Sequence, residues 1–444
     1  MTKTKHSNTI FNIVAIITGA LLMGFLWRVR GTNGWGSSWG LLNAGFIFTL
    51  FMIIVKGERK KLDMGYVALT SLSFMLTVPA WGTLLTQITG IAHDTTDVYI
   101  SVGSAVFLML SLGFGLATIF GIMLGRGYSD KQWKVKDFVI LIAVFYAADL
   151  ITKATVSHWI FNLIQPESVE IFKNGLKEAG IEGDVWHVYL QHFDNVSWGK
   201  KITGGRNYFS TIQVISSVFR TAASLLATRF IIKDKVSAKV GAVVSGAFAF
   251  SITISDLFFY FGKGGYHMQG ESPFTSFIAE WSCWEYFTGF IAGAIITAYM
   301  IHLKKTEDVH ELAFAKVPDK AADILRFVLG FVFMLGVNIV RPVLERYADT
   351  DYQIIATVIA VLVAVALVAV LNVKFGFNAK NISMTRLAQI LLPVFVVYII
   401  IVYLFIGAPE KQNYTSIATL HNVMCLISVA VTFVWALPEK MIKK

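Results

Sequence analysis

The sequence predicts an all-α polytopic integral membrane protein with about twelve transmembrane helices, arranged as two six-helix halves of like orientation. Three observations carry that expectation. The 444 residues are 55% hydrophobic and only 15% charged, with a mean hydropathy of +0.64, outside the range of soluble globular domains. Apolar runs recur at the roughly 20 residues a helix needs to cross a bilayer core. Lys and Arg alternate between the segments that separate those runs.

The runs fall at 9–27, 40–55, 65–88, 101–124, 138–164, 209–232, 238–261, 284–303, 323–341, 352–373, 386–407 and 416–437. Their length argues against barrel strands, which alternate polar and apolar over about ten residues, and a helix satisfies its own backbone in lipid. The first run follows the mildly basic MTKTKHSNTI and lacks a small-residue cleavage site, so it reads as a retained span. Spans one to six with the insert 165–208 form the expected first half (1–236), and spans seven to twelve the second (237–444). With the N-terminus placed inside, the inner segments hold 24 Lys and Arg and the outer ones 11. That asymmetry places both termini in the cytoplasm and the chain in the plasma membrane. The formal charge of +10 then reflects inner loops facing anionic lipid, the expected partner, and gives no warrant for nucleic acid.

The outer face gathers the unusual chemistry. WRVRGTNGWGSSWG (27–40) puts Arg28 and Arg30 where arginine is normally scarce, beside glycines, Trp35 and Trp39. A helix-end cap would account for such arginines; a planar, bidentate guanidinium among aromatic rings also suits a carboxylate, phosphate or sulfate on a small solute. Nine of the eleven tryptophans map outside, although an interfacial belt would populate both faces. Spans seven and eight echo spans one and two: GKGGY (262–266) matches GTNGW (31–35), with Asp256 before it, His267 after it, and Glu280, Trp284 and Glu285 in AEWSCWEYFTGFIAGAI. Arg28, Arg30, Trp35, Trp39, Asp256, His267, Glu280, Trp284 and Glu285 are the expected substrate site. Asn338 and Arg341, ending span nine, are expected either to complete that site or simply to anchor it. Cys283, between Trp281 and Trp284, is expected to be reachable from outside. NAGFIF and FTGFIAG carry small residues that allow close helix packing.

Charges inside spans form a second group. Asp149, near the middle of span five, and Lys153 four residues later share a face. With Arg220 they must face protein or water, since each costs about 2.5–3.5 kcal/mol at the bilayer centre even on a lenient scale. A structural ion triad and an ion- or proton-coupling site both fit. In the outer insert, Trp186, Tyr189, Leu190 and Phe193 fall at helical spacing and predict an amphipathic surface helix. His187 and His192 are five apart and off one face, so no metal is expected. ITGGRNYF (202–209) is Gly-rich but follows no strand, and no cofactor or nucleotide motif appears. With two cysteines there is no disulfide framework. The sequence thus points first to a transporter or permease for a polar or anionic small solute. An outward-facing membrane transferase acting on a lipid-linked or extracytoplasmic substrate, and a structural subunit of a membrane complex, are the alternatives.

Overall fold

The computed structural model describes residues 2–31, 38–57, 64–75, 101–262, 272–303 and 392, and among them every regular element is helical. Helices α1 (Thr2–Gly31), α2 (Ser38–Lys56), α3 (Met64–Met75), α4 (Val102–Leu116) and α5 (Thr118–Arg126) are followed by α6 (Val135–Lys153) and α7 (Val156–Ile164). The insert 165–208 contributes α8 (Pro166–Glu178), α9 (Val185–Gln191) and α10 (Val196–Gly199). Helix α11 (Gly205–Leu226) ends in a π-helical turn, Ala227–Ile231, before α12 (Lys235–Gly262), α13 (Pro273–Ile278) and α14 (Trp281–His302). Apart from residue 392, spans nine to twelve, with Asn338 and Arg341, lie outside the described residues.

Five helices are long and apolar enough to cross a membrane, and the bent pair α6–α7 makes a sixth if it counts as one span. These correspond to expected spans one, four, five, six, seven and eight. The apolar stretches Gly40–Lys56 of α2 and Tyr66–Met75 of α3 are shorter. Every described α2 side chain from Gly40 to Lys56 is buried, as befits a helix apolar all round.

The distribution of side chains fits lipid as the solvent. In α6 Asp137, Leu141, Phe145, Asp149 and Lys153, at every fourth position, are buried, whereas Val139, Ile142, Tyr146 and Leu150 are exposed. Helix α11 buries its polar stripe, Asn207, Thr211, Ser217, Arg220, Thr221 and Ser224, and leaves Leu226 exposed at its end. A helix in water would do the opposite. Buried hydroxyls tie spans together: Thr118 Oγ1 lies 2.7 Å from Thr221 Oγ1 and 2.9 Å from Ser245 Oγ, joining α5, α11 and α12.

Small residues set the packing order. Helix α14 runs antiparallel to α1, with Gly24 against Tyr286, Gly289 against Met23 and Gly293 against Gly19; a Cβ on either Gly289 or Gly293 would overlap a backbone oxygen of α1. Gly113, Gly121 and Gly125 bring α4 and α5 equally close to α12. The expected domain boundary after residue 236 falls in the first turn of α12. Helices on its two sides pack against one another, α12 against α4 and α5, α14 against α1.

At the end of the bundle expected to face the cytoplasm, Asp234 accepts hydrogen bonds from Ser129 Oγ (2.8 Å), the Trp133 indole (2.7 Å) and the Ser237 amide (2.9 Å), capping α12 while gripping the loop after α5. Lys56 Nζ donates to the Gly127 carbonyl at 2.7 Å, so residues assigned to one side of the membrane meet at one end of the bundle.

Candidate functional site

The antiparallel pairing of α1 and α14 brings together charges distant in sequence. Arg28 Nη1 lies 3.5 Å from Glu285 Oε2, and Arg30 Nη2 lies 3.7 Å from Glu285 Oε1. The Arg30 guanidinium also sits over the Trp27 ring, 4.4 Å from its centroid. Both arginines are buried, and the Glu285 side chain is 13% exposed. These ion pairs are longer than the 2.7–2.9 Å of a tight charge-assisted hydrogen bond, so one carboxylate is shared loosely between two forks. Such an arrangement can open to an incoming anionic group that offers both guanidiniums better geometry.

Trp284, one residue earlier on α14, is buried and turned toward α12. There its indole N–H acts on the Asp256 carboxylate. Asp256 is 0% exposed, and its oxygens make no well-aligned hydrogen bond. Trp27 extends the cluster inward, its ring 5.0 Å from Phe248 and 6.1 Å from Phe74. Arg28, Arg30, Trp284, Glu285 and Asp256 are therefore assembled by α1, α12 and α14. Trp39 stands in the first turn of α2, while Trp35 and His267 lie outside the described residues. Glu280 departs from the group: it is exposed at the N-cap of α14, and five residues of helix turn it away from Glu285. Cys283 is a correction, since it is 2% exposed. Its place after the α14 N-cap turns the thiol into the bundle while Trp281 takes the outer surface against Phe259.

The second group is larger than the sequence suggested. Lys153 Nζ pairs with Asp149 Oδ2 at 2.7 Å and with Asp194 Oδ2 at 2.8 Å, and Arg220 Nη1 reaches Asp149 Oδ1 at 3.3 Å. Ser216 Oγ donates to Asp149 at 2.8 Å, Gln213 donates to Asp194, and the Arg220 guanidinium covers the Phe145 ring at 4.7 Å. If the bent pair α6–α7 counts as one span, Asp149 stands near its middle, as the sequence places it. The α6–α7 pair bends by 53° directly after Lys153, so Lys153 stands at the bend and meets the insert 165–208 through Asp194. Two cations face two anions, a balanced network such as buried charges require. Asp194 was not singled out from the sequence. It adopts a left-handed conformation (φ 59°), which Asp tolerates better than most residues, and HFDN is the only local hint.

The insert 165–208 packs on the bundle through one face of α9. Val185, Val188 and Tyr189 of α9 are buried, with Tyr189 4.9 Å from the Phe209 ring, whereas Leu190, expected on the apolar face, is 39% exposed. Gly204, in a left-handed conformation (φ 72°) with Phe172 against its Cα, starts α11, so ITGGRNYF is a tight helix start. His158 stacks on Trp186 at 4.6 Å and hydrogen-bonds Tyr208 and Asn162. His192 stacks on Trp198 at 3.7 Å, and His187 is exposed beside Asp184. Burial pushes the Tyr189 phenol above its ordinary range, and the Asp194 and Asp149 carboxylates push the same way. Among the described residues no three His, Cys, Asp or Glu side chains gather as a metal site would.

No family model, no curated protein and no solved structure matches the chain. The helices and the charge clusters between them are what bear on function.

Proposed function

We propose that the chain is a transporter or permease of the plasma membrane, with both termini in the cytoplasm, that receives a polar or anionic small solute from outside at Arg28, Arg30 and Glu285. One observation carries this reading: the cluster is buried between two membrane-length helices, so a solute must enter the bundle to reach it. Glycine-mediated packing of α1 on α14 would let the helices shift without repacking large side chains. Two six-helix halves, 1–236 and 237–444, would supply the moving bodies, and membrane lipid would cover the exposed apolar faces. A transferase or a structural subunit draws less support. The described outer histidines best suited to proton transfer, His158 and His192, are engaged in stacking on Trp186 and Trp198.

The test is counterflow in proteoliposomes. Vesicles holding the purified full chain are preloaded with unlabelled carboxylate, phosphate or sulfate solutes and supplied with the labelled form outside. Accelerated exchange of at least one solute, lost in Arg28→Ala and Arg30→Ala, is the expected result. No exchange across the panel, together with turnover of a lipid-linked donor, would replace the transporter by the transferase.

A further inference from the structure

Asp256 is unusual even among intramembrane carboxylates. It lies six residues before the end of α12, about 9 Å along the axis, fully buried and with neither oxygen in a well-aligned hydrogen bond. Its neighbour Ser255 is likewise buried with its hydroxyl unpartnered. Among the described residues no charged side chain acts on Asp256; the Trp284 indole is the single polar group that does. Each packed element bears this out. On α14, Glu285 is turned to Arg28 and Arg30 of α1, and Glu280 is exposed. Helix α4 and helix α13 have no charged side chain, and Arg126 of α5 and Arg229 of the π turn stand at the opposite end. On α11, Arg220 is held by Asp149, and Arg206 is exposed.

An isolated carboxylate anion in such surroundings is costly, and proteins neutralise it with a cation. A hard metal cation would need several oxygens around it, and among the described residues no second carboxylate or histidine joins Asp256 to form such a cluster. A proton needs one. We infer that Asp256 is the proton-binding group of the proposed transporter, loaded from the outer side, and that α14 links it to the solute cluster. Trp284 faces Asp256 while Glu285, the next residue, faces Arg28 and Arg30, so a solute that displaces Glu285 from the arginines acts on the helix whose preceding residue faces the proton site. This assignment rests on the transport reading for its purpose but not for its detection.

The experiment is infrared difference spectroscopy of the full chain in liposomes, recorded between acid and alkaline media with sodium or choline as the salt cation. The wild type should show a protonated-carboxyl band that is lost in Asp256→Asn, shifted but retained in Asp256→Glu, and indifferent to sodium. A membrane-permeant carbodiimide should form an adduct at Asp256, found by peptide mass spectrometry, and not at the ion-paired Glu285. A band unchanged in Asp256→Asn overturns the assignment, as does a wild-type band erased by sodium at fixed pH. In the transport assay, uphill uptake driven by an inward proton gradient should disappear in Asp256→Asn; uptake indifferent to the gradient in the wild type overturns the coupling. Absence of counterflow with the band intact would remove the transport reading and leave the proton site standing.

Discussion

Arg28 on α1 meets Glu285 on α14 at 3.5 Å, and that contact fixes the charged ends of two antiparallel helices at the same depth. Arg30 shares the carboxylate, so the cluster joins helix packing to the candidate solute site.

Removing Glu285 should therefore act on both. Arg28→Met and Glu285→Gln should each lower the melting temperature in detergent, and the double variant should lose less than their sum, with a coupling of about 0.5–3 kcal/mol. Strictly additive losses would show that the pair contributes nothing. Arg30→Lys should weaken solute binding nearly as much as Arg30→Ala, because lysine keeps the charge but loses the planar fork over Trp27; wild-type affinity in Arg30→Lys would reject the anion clamp.

The glycine seam can be tested without touching a charge. Gly289→Ala and Gly293→Ala place a Cβ on backbone oxygens of Met23 and Gly19, so folded yield should fall sharply. Gly246→Ala in α12, where nothing lies within 4 Å, should be neutral or slightly stabilising, by up to about 1 kcal/mol. Equal yields for all three by size-exclusion chromatography would contradict the close approach.

Lys153 is the cation on which two carboxylates converge. Lys153→Met leaves Asp149 to Arg220 and takes the paired lysine from Asp194, and should cost about 3–5 kcal/mol, the usual penalty for breaking a buried ion pair. Asp149→Asn in the same chain should restore part of the loss. Asp194→Asn, at a half-exposed position, should mainly loosen the insert, read as faster proteolysis within 165–208. Unchanged proteolysis in both Lys153→Met and Asp194→Asn would mean that the network does not clip the insert to the bend.

Tyr189 is buried with an unpartnered hydroxyl, so Tyr189→Phe should raise the melting temperature by removing a polar group that gains nothing. The phenol is held above its ordinary range in the folded chain. Its contribution is therefore complete below the unfolded value of about 10 and is lost as pH rises beyond it, because the unfolded chain sheds the proton first. Melting curves should show a smaller alkaline loss in Tyr189→Phe than in the wild type; identical alkaline profiles would be inconsistent with a buried neutral phenol.

The sequence by itself determined the helical class, the membrane-length runs corresponding to α1, α4–α5, α11, α12 and α14, and the residue types that gather at one end of them. Those properties are local: length, hydropathy and charge are written residue by residue. FTGFIAG likewise announced a close-packing helix face, which Gly289 and Gly293 supply. Only the tertiary structure decided which charges meet. Glu285 pairs with Arg28 because α14 lies antiparallel on α1, while Glu280, equally acidic and five residues away, is rotated into solvent. Cys283 faces inward for the same rotational reason. Lys153 stands directly before a bend in its span, and Asp194 joined it through a loop more than 40 residues away. Such pairings depend on helix rotation, bend and neighbour, which arise from packing between segments and leave no periodicity in any one of them.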